Sequence, residues 1–215
     1  MQYYPIYLNI TGRKCIVVGG GNVAERKVKR LVECGACVTV IGRSLTDGLE
    51  RMKKALDIEH IDDDYAASCL NDAFLVIGAT DCDDVNAKIS ADAKKMGIMV
   101  NMVDDPERCD FILPSTIERG ELSIAISTGG KSPALAKKIR KEMEALYGPE
   151  YLLLLKILGN LRQKIKSRNR SQEANKRLFE TVVNSDILQH IREKKWNQIK
   201  RMLHDMTGED IEIEE

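Results

Sequence analysis

Along the first hundred positions, short continuous apolar runs alternate with stretches of helical spacing. KCIVVG (14–19) is an apolar run that ends on glycine. NVAERKVKRLVECG (22–35) places Val23, Ala24, Val28, Leu31 and Val32 on one helical face and stops at Gly35. CVTVIG (37–42) predicts the next strand, followed by a helix around 45–55 and a short strand at IEHI (58–61). AFLVIGAT (73–80) and IMVNMV (98–103) predict two more strands, with a helix over DDVNAKISADAKKMG (83–97) between them. Strands that are apolar throughout belong to a sheet covered on both faces, and their alternation with helices implies parallel βαβ units. Right-handed crossovers then give an open, doubly wound sheet.

The pattern changes near residue 110. DFILPSTIERGELSIAIST contains strand-like runs at 110–113 and 121–127 around a polar Glu118-Arg119-Gly120 turn, a hairpin that does not continue the series. SPALAKKIRKEMEALYG (132–148) predicts a helix with Ser132 as N-cap and Pro133 in the first position. Leu135, Ile139, Met143 and Leu146 form its apolar stripe, and Gly148-Pro149 ends it. Beyond residue 150 the spacing is helical throughout, and the acidic end GEDIEIEE (208–215) is expected to fray. The expected fold class is α/β: a Rossmann-type doubly wound parallel sheet (1–112), a small α+β region (113–148) and an all-helical C-terminal subdomain (149–215).

Composition narrows the class. With 43% hydrophobic and 31% charged residues, the chain has material for one sizeable core and a second smaller one. MQYYPIYLNI lacks the basic and apolar regions of a signal peptide, and no apolar run approaches the roughly 20 residues that cross a bilayer. Of six cysteines only Cys34 and Cys37 have a C-x-x-C spacing, without the second pair a zinc site needs. They are expected to bracket a helix–strand joint with Cys37 packed inside. Scattered free thiols suit a reducing, cytoplasmic setting. A net charge of zero conceals an asymmetry: residues 57–110 carry a net −10 and residues 131–177 a net +9. The basic segment has no interleaved aromatic residues, which argues against a nucleic-acid platform. It is either a solvated helical face or a patch for an anionic ligand.

VVGGGNVAERK supplies the first candidate site. Gly19, Gly21 and Ala24 have G-x-G-x-x-A spacing directly after a strand and at the start of a helix, where Asn22 and Val23 present free N–H groups to an anion. This predicts dinucleotide binding. The acid expected about 20 residues on is missing, because the second strand ends in Gly42 and Arg43. Arg43 could take the 2′-phosphate of NADP or point into solvent, so the residues alone leave NAD and NADP both open. Thr80 and Asp81, at another strand end, are placed to meet the nicotinamide side. Asp81, Asp83 and Asp84 could suggest a metal, but carboxylates at a helix start are favoured. His60, His190 and His204 are dispersed and read as ordinary surface or core residues, and no metal site is expected.

PIYLNITGRKCIVVGGGNVAERKV, GATDCDDVN and VNMVDDPERCDFILPSTIERGELSIAISTGGKSPALAKKIRKEME, in that order, resemble the siroheme-synthase type of precorrin-2 dehydrogenase, including its ferrochelatase members, from about residue 5 to 146. The methyltransferase domain fused to some members is absent from this sequence. The resemblance implies an NAD-dependent oxidation of precorrin-2 to sirohydrochlorin, insertion of Fe²⁺ in many members, and an intertwined homodimer made largely by 113–148. It tilts the cofactor toward NAD. The family's essential aspartate, in N-x-V-D, falls on Asp104. A carboxylate at the end of the strand 98–103 can accept a proton as hydride leaves the substrate; Asp-Asp-Pro is also ordinary turn chemistry. Precorrin-2 is a polycarboxylate, and Ser127, Thr128, Gly129, Gly130 and Lys131 offer it an open backbone, a cation and a helix N-terminus. The same stretch also reads as a flexible loop before an N-cap. The rival function is a nucleotide-sensing Rossmann regulatory module without catalysis, which needs only the glycine turn; a third reading, a helical interaction protein, rests on the tail alone.

Overall fold

The apolar runs of the first half become five parallel strands in the computed structural model, which describes residues 3–166, 171–208 and 210–213. They are β1 (Lys14–Val18), β2 (Cys37–Ile41), β3 (Ile58–Ile61), β4 (Leu75–Gly78) and β5 (Met99–Met102), in the order β3-β2-β1-β4-β5. The order reverses between β1 and β4, so the crevice above their C-terminal ends is the switch point of a doubly wound sheet. Helices α1 (Asn22–Glu33) and α2 (Asp47–Lys54) cover one face, where Ala24, Val28 and Leu49 pack with Cys15, Val17, Val40 and Ile77. Helix α3 (Asp83–Met96) covers the other through Ile89 and Ala93, against Ile16, Val18, Val76 and Val100. Burial on both faces explains why these strands are apolar without alternation.

Cys15, fully buried on β1, has its thiol pushed up to about 11 from 9.0, by burial first and by neighbouring Cys37 second. Tyr65, which donates to Asp92 Oδ2 at 3.1 Å, is also raised, by burial and by that carboxylate. For both groups the unfolded state releases its proton first: the Cys15 contribution is complete below pH 9.0 and falls as pH rises toward 11, and that of Tyr65 falls only above pH 10.0. Cys15 alone then removes roughly 1.4 kcal/mol per pH unit across that window. Urea unfolding at pH 8 and pH 10 should show this loss, and Cys15→Ala should flatten part of it. Cys37, by contrast, is exposed rather than packed inside. It opens β2 at the N-terminal rim of the sheet, paired in register with Lys14, and a residue at that rim lies beyond the cover that the helices give the strand interiors.

The chain divides into two compact units, Met1–Leu113 and Pro114–Glu215. In the second, β6 (Ser115–Arg119) and β7 (Leu122–Ile126) form an antiparallel hairpin. Its connection is Gly120-Glu121, with Gly120 at φ +61°, the left-handed conformation that a two-residue hairpin turn demands. The run 110–113 is not a strand, contrary to the sequence pattern. Asp110 instead folds back on β5, donating its N–H to Val100 O (2.8 Å) and accepting Val100 N–H on Oδ2 (3.0 Å). Pro114 then removes a ladder donor, and pairing starts at Ser115.

Helix α4 (Pro133–Leu146) begins as expected, with Ser132 Oγ accepting from Leu135 N at 3.2 Å. Its stripe behaves differently from the prediction: Ala136 is buried, whereas Leu135 and Leu146 are 48% and 62% exposed. Those leucines have little cover among the described residues. Helices α5 (Glu150–Lys166), α6 (Gln172–Val183), α7 (Ile187–Arg192) and α8 (Trp196–Thr207) build a third core around Ile157, Leu161, Val182, Ile187, Ile199 and Leu203. Within the acidic end, Ile211 joins that core at 3% exposure, and Asn160 Nδ2 donates to Glu212 O at 3.2 Å. The alternation of Ile211 and Ile213 with acids pins this segment instead of letting it fray; Glu209, Glu214 and Glu215 lie outside the described residues. Among the described residues no helix is long and apolar enough to cross a membrane.

Candidate active site

The glycine turn is built by contacts that exclude side chains. Gly19 has φ +118°, donates to Ile41 O at 2.8 Å, and a Cβ there would lie 2.3 Å from Ala79 O. Gly20 is tighter still: its Cβ would lie 1.8 Å from Ser44 O, and its carbonyl accepts from Thr46 N at 3.0 Å. The sequence spacing did not single out Gly20, although the unbroken triplet carried the signal. Gly21 is the N-cap of α1 and is different in kind. No atom lies within 4 Å of its would-be Cβ, and no side chain caps the helix. The open space and free N–H groups of Asn22 and Val23 are what a pyrophosphate needs. Ala24, fully buried, lets α1 approach the sheet. Glu25, in the first turn, is held away from that space by Lys29 and Thr46, whose hydrogen bonds lower its pKa.

A crevice of about 500 Å³ runs from this turn over the ends of β1, β2 and β4. Gly42, Asp63, Asp64, Tyr65, Thr80 and Lys88 line it with Gly19. Thr80 Oγ1 donates to Asn86 Oδ1 at 2.8 Å, and Asn86 Nδ2 donates back to Thr80 O at 2.9 Å, which fixes the threonine at the crevice wall. Asp81 is exposed at the same strand end. Asp83 and Asp84 open α3, as carboxylates at a positive helix end, and Asp83 bonds Arg108 Nη1 at 2.7 Å. Among the described residues no group of three or more His, Cys, Asp or Glu is arranged to hold a metal. Arg43 is not aimed into the crevice. Its Nε and Nη2 meet Asp64 Oδ1 and Oδ2 at 2.9 and 2.6 Å. The motif spacing does not mark Asp63 and Asp64, yet DDD directly follows the strand 58–61, and the C-terminal strand ends of such a sheet border the crevice.

Asp104 stands at the C-terminal end of β5, exposed, at φ +60°. Its neighbours hold the turn. Val103 N donates to Gly78 O (3.0 Å) and Asn101 Nδ2 to Phe111 O (2.9 Å). Cys109 Sγ sits 3.1 Å from both Met102 N and Asp105 O. Asp105, the residue most easily mistaken for Asp104, is a structural cap: it accepts Arg108 N–H at 3.3 Å and pairs with Arg108 Nε at 3.1 Å. The Asp104 carboxylate is not drawn into this network. Val103 packs in the same core as Ala24 and Val28, so the turn lies on the α1 side of the sheet. There the Asp104 charge acts on half-buried Lys27 of α1. Burial and then Arg26 push the Lys27 pKa down, and Asp104 opposes them.

Ser127 to Lys131 belong to the second unit and Asp104 to the first. The loop is folded rather than loose. Gly129 N donates to Ser127 Oγ (3.0 Å), Ser132 N to Thr128 Oγ1 (3.1 Å) and Lys131 N to Thr128 O (3.2 Å). Gly129 and Gly130 have φ +61° and +80°, and Lys131 is exposed.

An uncapped helix after a glycine turn, at the switch point of a parallel sheet, defines a dinucleotide-binding protein of the Rossmann type. The family NAD_binding_7, described as "Putative NAD(P)-binding", matches residues 6–115, and "Sirohaem biosynthesis protein central" matches residues 119–146. The siroheme synthase of Photobacterium profundum is 38% identical over 182 residues, which cover 85% of this chain and 39% of that protein. Siroheme synthase 2 of Yersinia pseudotuberculosis serotype O:1b is 37% identical over 188 residues, 87% of this chain and 40% of that one. This chain thus spans about two-fifths of the length of these relatives. The solved structure of "SirC, precorrin-2 dehydrogenase" superposes with a TM-score of 0.75 at 25% identity, covering 93% of this chain and 100% of that one. The chain belongs to the NAD(P)-binding family whose model spans half of it.

Proposed function

We propose that this chain is an NAD-dependent precorrin-2 dehydrogenase of siroheme biosynthesis, with Asp104 as its catalytic residue. The observation that carries the reading is the Asp104 turn. It presents one carboxylate that has no structural duty, at a strand end, on the same side of the sheet as the glycine turn. NAD⁺, when bound, accepts a hydride. Gly19 to Ala24 hold its pyrophosphate, and Thr80 and Asp81 bound its nicotinamide side. Oxidation of precorrin-2 releases one hydride and one proton for each C–H and N–H pair removed, and Asp104 takes the proton. The Asp104 charge is felt by half-buried Lys27 of α1, which places a cation on the same side of the turn. Ser127 to Lys131 are assigned to substrate carboxylates, which the exposed Lys131 charge attracts. A module that only sensed nucleotide would have no use for Asp104.

Two further parts belong to this reading. The exposed leucines of α4 support a homodimer in which the hairpin and α4 (113–148) make the contact, with 149–215 as a helical addition. Fe²⁺ is proposed as a second substrate, with Asp104 removing pyrrole protons as the ion enters sirohydrochlorin. The free thiols support a cytoplasmic setting. The test mixes purified protein with precorrin-2 and NAD⁺ and follows NADH and the sirohydrochlorin spectrum. Turnover is expected. A folded protein that binds NAD⁺ but produces neither overturns the reading. Sirohydrochlorin with Fe²⁺, with and without protein, tests the chelatase part, and light scattering on the eluting protein tests the dimer.

A further inference from the structure

NADP differs from NAD by one phosphate on the adenosine ribose, and a Rossmann sheet usually reads that position with a residue at the end of its second strand. Here that strand ends in Gly42, which has no side chain to offer, followed by Arg43, the residue type that would welcome the phosphate. The structure turns this around. Because β2 and β3 run side by side, with Gly42 N bonded to Ile61 O at 3.1 Å, the Asp62-Asp63-Asp64 loop emerges next to Arg43. Asp64 takes the paired edge of the guanidinium with both its oxygens, and Asp62 and Asp63 add their charges to the same group. Asp63 and Asp64 also line the crevice, together with Asp84 and, as a cation, Lys88. The corner at the end of β2 therefore sets three carboxylates, Asp62, Asp63 and Asp64, around the one cation Arg43.

We propose that Asp64 is the residue that makes this site select NAD over NADP, supplying from the loop after β3 the acid that the end of β2 lacks. The inference rests on the nucleotide-binding reading of the crevice. Asp64 acts twice: it occupies Arg43, and it puts negative charge where a 2′-phosphate would enter. Exposed ion pairs contribute little to folding, so the pair is read as a device against the wrong cofactor, a repulsive element of the kind on which specificity depends.

The test uses cofactor binding to the free protein, without substrate. Protein is titrated with NADH and with NADPH, following nicotinamide fluorescence. Wild type should bind NADH at least about tenfold more tightly than NADPH, and Asp64→Asn should shrink that ratio about tenfold, mainly by tighter NADPH binding. Adding Arg43→Ala to Asp64→Asn should abolish the gain for NADPH, because the freed guanidinium is what binds the phosphate. Both side chains are exposed, 71% for Arg43 and 74% for Asp64, so the variants should fold, which circular dichroism checks. Equal binding of the two dinucleotides by wild type, or an unchanged ratio in Asp64→Asn, overturns the proposal while leaving the nucleotide site standing. Binding of neither by folded protein overturns the site itself, and the proposal with it.

Discussion

Asp104→Asn should lower the rate of precorrin-2 oxidation by about 10²- to 10⁴-fold, the usual contribution of a positioned proton acceptor, and leave the NADH dissociation constant within about twofold. Asn is the right replacement because the backbone at 104 sits at φ +60°. Asn adopts that region as readily as Asp, whereas Ala in it adds strain of about 1–2 kcal/mol. A loss seen only with Ala would report the turn, and a loss seen with Asn reports the carboxylate. Asp105→Asn is the matched control. It weakens a cap and an ion pair with Arg108, so it should lower stability more than it lowers the rate of a folded sample. If Asp104→Asn turns over like wild type while Asp105→Asn does not, the two acids have been assigned the wrong way round.

Gly20→Ala should damage the fold, and Gly21→Ala should damage only cofactor binding. At Gly20 the new methyl would meet a backbone carbonyl, Ser44 O, at 1.8 Å. No rotamer can relieve a backbone contact, so the segment after β2 must move and its Thr46 bond to Gly20 O must stretch or break. Overpacking of this kind costs about 1–3 kcal/mol or more. Gly21 has an ordinary negative φ of −81° and nothing within 4 Å of its Cβ. Its variant should melt with wild type and bind NADH at least about tenfold more weakly, since a methyl stands where the pyrophosphate approaches. Melting curves with and without NADH separate the two. A Gly20→Ala protein as stable as wild type would mean that the turn is looser than these contacts require.

The parallel sheet was readable because its strands are buried on both faces, and KCIVV, CVTVI and LVIG say so without reference to anything distant. The N-cap at Ser132 was readable for the same reason, since its chemistry is local. The hairpin turn sits later than the Glu118-Arg119-Gly120 pattern suggests, at Gly120-Glu121, because Glu118 and Arg119 still pair with Ser123 and Leu122. The other failures are long-range. Residues 110–113 look like a strand, but Asp110 spends its backbone and side chain on Val100, ten positions back. Cys37 looks internal by composition, and only the strand's starting point at the rim exposes it. The GEDIEIEE end is acidic enough to fray, yet its two isoleucines find a helical core whose surface the local pattern does not describe. The glycine turn at Gly19 followed from the motif, and the place of Asp104 from its strand end. The Arg43–Asp64 pair did not, because it depends on β3 lying next to β2, a fact of strand order and not of spacing.

The turn that carries Asp104 holds one more consequence. Residues 100–111 are cross-tied by the bonds of Val100, Asn101, Asp105, Arg108 and Cys109, and Arg108 extends the tie to Asp83 at the head of α3. A segment so fastened has little backbone freedom left to surrender when a ligand arrives. Ordering a free loop would cost about 1–2 kcal/mol per residue, and that entropy has already been spent during folding. On the proposed reading a macrocyclic substrate would meet a preorganised base, and its binding energy would remain available for bringing the reacting carbon to the nicotinamide.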